Sequence, residues 1–393
     1  MFYCGIDIAK QKHEACIIDS EGDALGESLP FDNSANGCDK LVARLVKLGI
    51  DQSDLVIGME ATGHYWLCVH EYLSDAGFDV RVINPLSSEA FRNLYIRKTK
   101  NDSRDSFIIA QVMRFGEYAQ TALADEDIIG LRQLTRFRMT LVQHVGDCKR
   151  RIIALLDMTF PEFEKLFSDM FGKSGKVLLE ACPLPEDLEA ISTRKLTNLL
   201  ATASHGRFGK DKAVVIKQAA ADTFGVGLAL DSFAFQIQLL LQQLSFTEDQ
   251  LHQLDDKIHA VLEKLNSPIT TIPGIGPTTG AAILAEIGDI HRFASAPQLV
   301  AFAGLDAKVN QSGEFSASQS HISKRGSPYL RHAIWLSATV AARCDPTMKA
   351  FYAQLRARGK HHSVAIGAVA RKMCNLIFAI LSQNHPFLPA PPP

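Results

Sequence analysis

The chain has 393 residues, 47% of them apolar and 21% charged, with a formal net charge of −2. That length exceeds what one core normally holds, so two or three globular domains are expected, and the near-neutral balance argues against a uniformly basic polyanion binder. The eight cysteines are scattered without a CxxC pair or a His/Cys cluster at zinc spacing, which speaks against a disulfide scaffold or zinc ribbon and makes reduced, cytoplasmic thiols the expectation.

The opening MFYCGIDIAKQKHE has no basic segment leading into an apolar run, so no signal peptide is read there. FYCGIDIA and HEACIID are short β-rich runs, and SEGDALGE turns into a third, ESLPF, which together predict a three-stranded meander. Asn33 or Ser34 can cap a helix running to Lys47 and ended by Gly49. LVIGME (55–60) is nearly continuous apolar sequence, as a strand buried on both faces requires. A helix over about 64–75, the strand DVRVIN (79–84) and a helix over about 102–118 complete the order β-β-β-α-β-α-β-α.

From about 126 to 160 the chain reads as one long amphipathic helix ended by Pro161, and a second spans about 229–265. Their apolar spacing suits either a coiled-coil dimer element or a bundle within one chain. No element is assigned over 161–225. The most apolar window, VGLALDSFAFQIQLLLQQL (226–244), carries Asp231 and several Gln, so it reads as a buried or self-associating helix and no membrane span is expected. From Pro268, ITTIPGIGPTTGAAILAEIG reads as a helix-hairpin-helix whose Gly274 and Gly276 would let backbone N–H groups approach a phosphate. PFLPAPPP closes the chain as a disordered tail.

Two features carry chemistry. Between 308 and 372 stand eleven Lys and Arg, among them Lys324, Arg325 and Arg331, against two acids, the local asymmetry of a polyanion-facing surface. In RKTKNDSRDS, Asp102 and Asp105 lie three positions apart amid Arg97, Lys98, Lys100 and Arg104. On one helix face, two carboxylates about 5 Å apart repel by about 3 kcal/mol at an effective dielectric near 20. The neighbouring cations can relieve that, and so can a divalent metal, for which carboxylate oxygens are natural ligands. Asp7 in the first strand and Glu60 at the end of the fourth extend the pair to four carboxylates, which meet if those strands are neighbours as in a ribonuclease-H-like topology.

The motifs GIDIAK, GMEATGHY and KTKNDSRDS, followed by IPGIGPTTGAAILAEIGD, FASAPQLVAFAGLDAKVNQSG and HISKRGSPYLRHAIW, resemble in order and spacing the DEDD transposases of the insertion-sequence-110 family, relatives of the Piv DNA invertase. Where that family has Lys-Thr-Asp, this chain has Lys98-Thr99-Lys100, and its Gly-Leu-x-Pro is here Gly304-Leu305-Asp306-Ala307.

The resemblance implies an α/β plus all-α architecture: a RuvC-like (ribonuclease-H-like) domain over 1–125, a helical coiled-coil region over 126–267 and a mainly helical transposase domain over 268–385, before the tail at 386–393. It implies a site-specific DNA recombinase in which Asp7, Glu60, Asp102 and Asp105 bind two Mg²⁺ ions and Ser312, in NQSGEF, attacks the scissile phosphodiester. Lys98, Lys100, Arg104, Gly274, Gly276, Lys324, Arg325 and Arg331 would hold nucleic acid. Target and donor DNA, a structured guide RNA and further copies of the chain, as a dimer or tetramer, are the implied partners. A RuvC-like junction nuclease using water in place of serine, and a non-catalytic nucleic-acid-binding protein, are the alternatives.

Overall fold

The structure, a computed structural model, describes residues 1–60, 64–83, 88, 91, 102–116, 125–307, 311–312, 315–316 and 321–389. Its strands follow the β-rich runs closely: β1 (Phe2–Asp7) and β2 (Lys12–Ile18) pair antiparallel, and β3 (Leu29–Asp32) pairs antiparallel with β2. Helix α1 (Ala35–Lys47) starts where the Ser34 hydroxyl accepts from the Gly37 N–H at 3.1 Å, and Gly49, with φ of +67°, turns the chain past its end. Strand β4 (Leu55–Glu60) then returns beside β1 and parallel to it. Helix α2 (Trp66–Asp75), β5 (Asp79–Ile83) and helix α3 (Asp102–Phe115) follow, giving a five-stranded sheet in the order β3-β2-β1-β4-β5. Strands one and four are therefore neighbours, as the four-carboxylate reading requires.

The two faces of this sheet differ. Cys4, Ile6, Leu55, Ile57 and Met59 point to one side and share a core with Leu41 and Leu45 of α1 and Val69 and Leu73 of α2. On the other side the strand positions alternate Tyr3, Gly5, Asp7 and Val56, Gly58, Glu60, and Gly5 and Gly58 are direct register partners. Helix α3 lies over that pair of glycines. A Cβ at Gly5 would stand 2.1 Å from the Ser106 carbonyl oxygen and 2.3 Å from the Ala110 nitrogen, and one at Gly58 would stand 2.3 Å from Met113 Cγ. The absence of both side chains lets the helix backbone settle onto the sheet.

The chain divides into two compact units, 1–123 and 124–393. In the second, α4 (Glu126–Thr159) and α9 (Leu230–Leu265) pair antiparallel within the one chain, pinned by Asp127–Lys264 at 2.7 Å, Arg138–Asp255 and Lys149–Glu248 at 3.5 Å. The interval left unassigned by periodicity holds four short helices: α5 (Lys173–Ala181), α6 (Pro185–Ala190), α7 (Thr193–Ala203) and α8 (Lys210–Ala221). They close over the far end of the pair in a core built on Ile152, Leu156, Phe160, Phe163, Leu241 and Leu244.

At the other end stand α10 (Pro277–Ile287), α11 (Ala296–Phe302), α12 (Pro328–Cys344), α13 (Pro346–Ala357) and α14 (His362–Gln383), with the two-residue strands β6 (Gln311–Ser312) and β7 (Phe315–Ser316) paired antiparallel. Three expectations are corrected here. The most apolar long helix among the described residues is α14 and not the one holding 226–244; it is long and apolar enough to cross a bilayer, but Ile366, Val369, Met373 and Ile377 bury its face in the protein core. Ahead of the PGIGP turn stands a short 3-10 turn, Pro268–Thr271, so α10 is the one full helix of the expected helix-hairpin-helix at that point. The tail does not leave the fold at 386: Phe387 packs on the core and its N–H donates to Thr271 Oγ1 at 2.8 Å, because a large apolar side chain gains more by burial than by exposure.

Gly5→Ala is expected to destabilise the N-terminal unit by about 3 kcal/mol, the upper end of overpacking costs. Urea unfolding followed by Trp66 fluorescence in a Trp335→Phe background reads it; an unchanged midpoint would show that α3 is not seated on Gly5.

Candidate active site and nucleic-acid surface

The glycine seat fixes where the carboxylates lie. Gly5 meets Ser106 and Ala110, Gly58 meets Ile109 and Met113, and Val56, one step earlier on its strand face, clusters with Val112 and Met113. Helix α3 thus runs antiparallel to β1 and β4, with its first turn at their carboxyl ends. Asp7 and Glu60 are the residues one step beyond the register pair Ile6 and Met59, on the face that α3 covers, and Asp102 and Asp105 occupy the first turn of α3. All four carboxylates share one end of the sheet. The positive end of the helix dipole favours the aspartate pair at that turn.

The four differ in setting. Asp105 is buried at 6% exposure, Asp102 is exposed, and Asp7 and Glu60 are half-buried. Glu60 Oε2 accepts from the hydroxyl of Ser88, itself buried, at 3.0 Å, an orienting contact with no clear mark in the sequence beyond the serine pair in NPLSSEA. Ser103 joins the turn to the meander, its hydroxyl 2.9 Å from that of Ser28. Among the described residues no group of three or more His, Cys, Asp or Glu stands close enough to hold a metal ion. Arg104 lies on the same turn; Lys98 and Lys100, with Arg97, lie outside the described residues.

In the second unit, Ser312 ends β6, whose backbone pairs with Phe315, and Gly313 lies outside the described residues. The two glycines of the PGIGP turn separate. A Cβ at Gly274, where φ is +90°, would meet the Ser337 carbonyl oxygen at 2.5 Å, so packing against α12 requires this glycine. Gly276 caps α10 and faces open space. Lys324 and Arg325 are exposed, Lys324 at φ of +54°, whereas Arg331 reaches back and donates to the Ala303 carbonyl at 3.2 Å.

A buried acid holds this basic region together. Glu286, at 3% exposure, accepts two bonds from Arg136 at 2.6 and 3.0 Å and one from the Ser327 hydroxyl at 2.7 Å. These bonds hold the Arg136 guanidinium above its ordinary pKa. Arg132, which donates to the Ala285 carbonyl at 2.7 Å, and Arg292, stacked on Phe293 and Phe302 at 4.5 and 4.4 Å, are both lowered by burial. The sequence signal for Glu286 was available: a lone acid in the apolar run AILAEIG has to be paired if it is buried.

Comparison with known proteins gives a consistent result. Residues 4–161 match a family model described as "Transposase", that of the DEDD transposases of IS110, and residues 266–353 match the "Transposase IS116/IS110/IS902 family" model. The chain is 26% identical to the insertion element IS110 43.6 kDa protein of Streptomyces coelicolor, over 97% of this chain and 94% of that one. It is 27% identical to the mini-circle putative transposase for IS117 of the same organism, over 92% and 89%. Identity to the pilin gene-inverting protein of Moraxella lacunata is 25%, over 98% and 97%.

Glu286→Ala leaves the half-exposed Arg136 guanidinium and the Ser327 hydroxyl without their shared acceptor and is expected to cost about 1–3 kcal/mol. Denaturant unfolding followed through Trp335 measures it, and a loss within error of zero would contradict the bonding described.

Proposed function

Because this chain belongs to the IS110 family of transposases, we propose that it cuts and rejoins DNA through one carboxylate site, Asp7, Glu60, Asp102 and Asp105, acting with Mg²⁺, and through Ser312 as nucleophile. The observation that carries the reading is the seat of α3 on Gly5 and Gly58, which brings its two aspartates to the strand ends bearing Asp7 and Glu60. The sheet order, with β1 and β4 parallel and β2 antiparallel, supports a ribonuclease-H-like, RuvC-like domain.

The donor set is all carboxylate oxygen, which suits a hard divalent cation. When bound, such ions neutralise the phosphate and the leaving oxygen of a phosphodiester. The protein's own groups do the rest. Ser88 orients Glu60, the helix seat holds Asp105 against the sheet, and Arg104 offers a charge to a flanking phosphate. The Ser312 hydroxyl attacks phosphorus: a P–Oγ bond forms, the bond to the departing sugar oxygen breaks, and that oxygen takes a proton. Attack by the sugar hydroxyl of a second strand reverses the exchange and frees the serine, so the bond energy is conserved.

The exposed cations between 308 and 372, Lys324 and Arg325 among them, supply the surface for DNA, and a guide RNA from the element's own ends is part of the reading; reactions with and without that RNA test this component. Strand exchange between two duplexes needs several sites, so we read the active form as a dimer or tetramer.

Asp7→Ala, Glu60→Ala and Asp105→Ala are each expected to lower cleavage about 100-fold or more while DNA binding is retained, because the cluster acts on charge that develops in the transition state. EDTA should do the same, and Ser312→Ala should abolish the covalent protein–DNA band on a denaturing gel. Full cleavage by the carboxylate variants in Mg²⁺ would sink the metal site. Nicked product from wild type with no adduct would favour the junction-nuclease mechanism.

If one protomer's carboxylates act with another's Ser312, mixing Asp105→Ala with Ser312→Ala protein should restore part of the cleavage. No recovery in mixtures shown to exchange subunits would mean that each chain acts alone.

A further inference from the structure

The segment that carries Ser312 is gathered at its base by a short zipper. Ala307 and Ile322 pair as an antiparallel bridge, the Ser323 N–H donates to the Asp306 carbonyl at 2.8 Å, the Lys324 N–H donates to Gly304 at 3.1 Å, and the Ser323 hydroxyl bonds the Asp306 carboxylate. Beside this neck, between α12 and the first turns of α14, opens a cavity of about 340 Å³. Trp335, Arg371, His321 and Gly367 wall it, with Ser363 and Val364 at its edge, and among the described residues no acid lines it.

Each wall is of a definite kind. Trp335 is half-buried, and a Cβ on the buried Gly367 would meet its six-membered ring at 3.5 and 3.8 Å, so the ring lies beside the α14 backbone where no side chain intervenes. Arg371 is held in place through a 3.3 Å bond from Nη1 to the Leu305 carbonyl, and among the described residues no acid forms an ion pair with it. An aromatic face beside a guanidinium and an imidazole suits a flat, uncharged ring attached to an anion. Apolar peptides would leave the guanidinium unanswered, and a bare phosphate would leave the indole unused.

We propose that this cavity takes one unstacked nucleotide, its base on Trp335 and its phosphate or base edge on Arg371, next to the strand segment that Ser312 attacks. The proposal rests on the reading that the 308–320 segment works on nucleic acid. An aromatic platform recognises a base only once it has left its duplex stack, so the site would read single-stranded or flipped nucleotides and not intact duplex.

The chain has two tryptophans, which makes the test direct. In full-length Trp66→Phe protein, Trp335 is the sole fluorophore. Single-stranded DNA and RNA oligomers of the same sequence are titrated separately, alongside a strand of identical length lacking bases. The expected result is saturable quenching by at least one natural strand and none by the abasic strand, with the DNA and RNA arms identifying the source of the nucleotide. Trp335→Leu should weaken binding of the quenching strand by about 5- to 150-fold, Trp335→Phe should restore most of it, and Arg371→Gln should weaken it with Trp335 still in place. Duplex binding by each variant reports that the unit is folded. Unquenched Trp335, or equal quenching by the abasic strand, in protein that binds and cleaves DNA would overturn the pocket and leave the proposed function standing. Failure to bind any nucleic acid would overturn both.

Discussion

Two glycines facing each other across a parallel strand pair set the geometry on which the rest of the N-terminal unit depends. Gly5 and Gly58 leave the sheet without side chains at one point, and helix α3 comes down there until its backbone fills the space a Cβ would take at Gly5 and the Met113 side chain fills that at Gly58. That contact decides the direction of the helix across the strands and which of its turns reaches their carboxyl ends. Strand alternation then does the remaining work: the residues two positions on from each glycine, Asp7 and Glu60, point to the same side as the helix. A close approach that exists for packing reasons thereby sets the first turn of α3, with Asp102 and Asp105, at the end of the sheet where β1 and β4 finish.

The second unit solves a different problem with the same economy of means. A helix pair of more than thirty residues each is uncertain in register unless something marks it. Here charge pairs at one end and along the middle, Asp127 with Lys264, Arg138 with Asp255 and Lys149 with Glu248, mark the antiparallel alignment within the chain. At the base of the pair, Glu286 answers the guanidinium of Arg136 and the hydroxyl of Ser327, tying α4, α10 and the start of α12 into one block. The exposed cations Lys324 and Arg325 stand just ahead of α12, so a surface rich in like charge is anchored on a buried opposite one.

Much of this was legible from residues. The meander, the buried strand LVIGME and both long helices fall within a few residues of where their patterns end, because turn glycines, prolines and caps mark those ends sharply. The adjacency of strands one and four, on which the four-carboxylate reading depends, was expected from a ribonuclease-H-like order, and the sheet has it. Glycines inside the strands FYCGID and LVIGME carried the missing clue, since a glycine in a strand interior marks a close backbone approach. The four short helices between 173 and 221 were not legible, because each is too short to show a clear period and is stabilised by the core it shares. The cavity beside Trp335 was not legible either: its walls come from 307, 321, 335 and 363–371, and only folding makes them neighbours.

The central claim, that the seat of α3 makes one metal-binding site from separate segments, can be tested by letting a metal report its own surroundings. Full-length protein is loaded with Fe²⁺ in place of Mg²⁺, treated with ascorbate and peroxide, and the backbone cuts made by locally generated radicals are mapped by mass spectrometry. The account predicts cuts clustered near residues 7, 60 and 102–105 together, suppressed by excess Mg²⁺. Cuts confined to one of these segments, or clustered elsewhere in the chain, would contradict it.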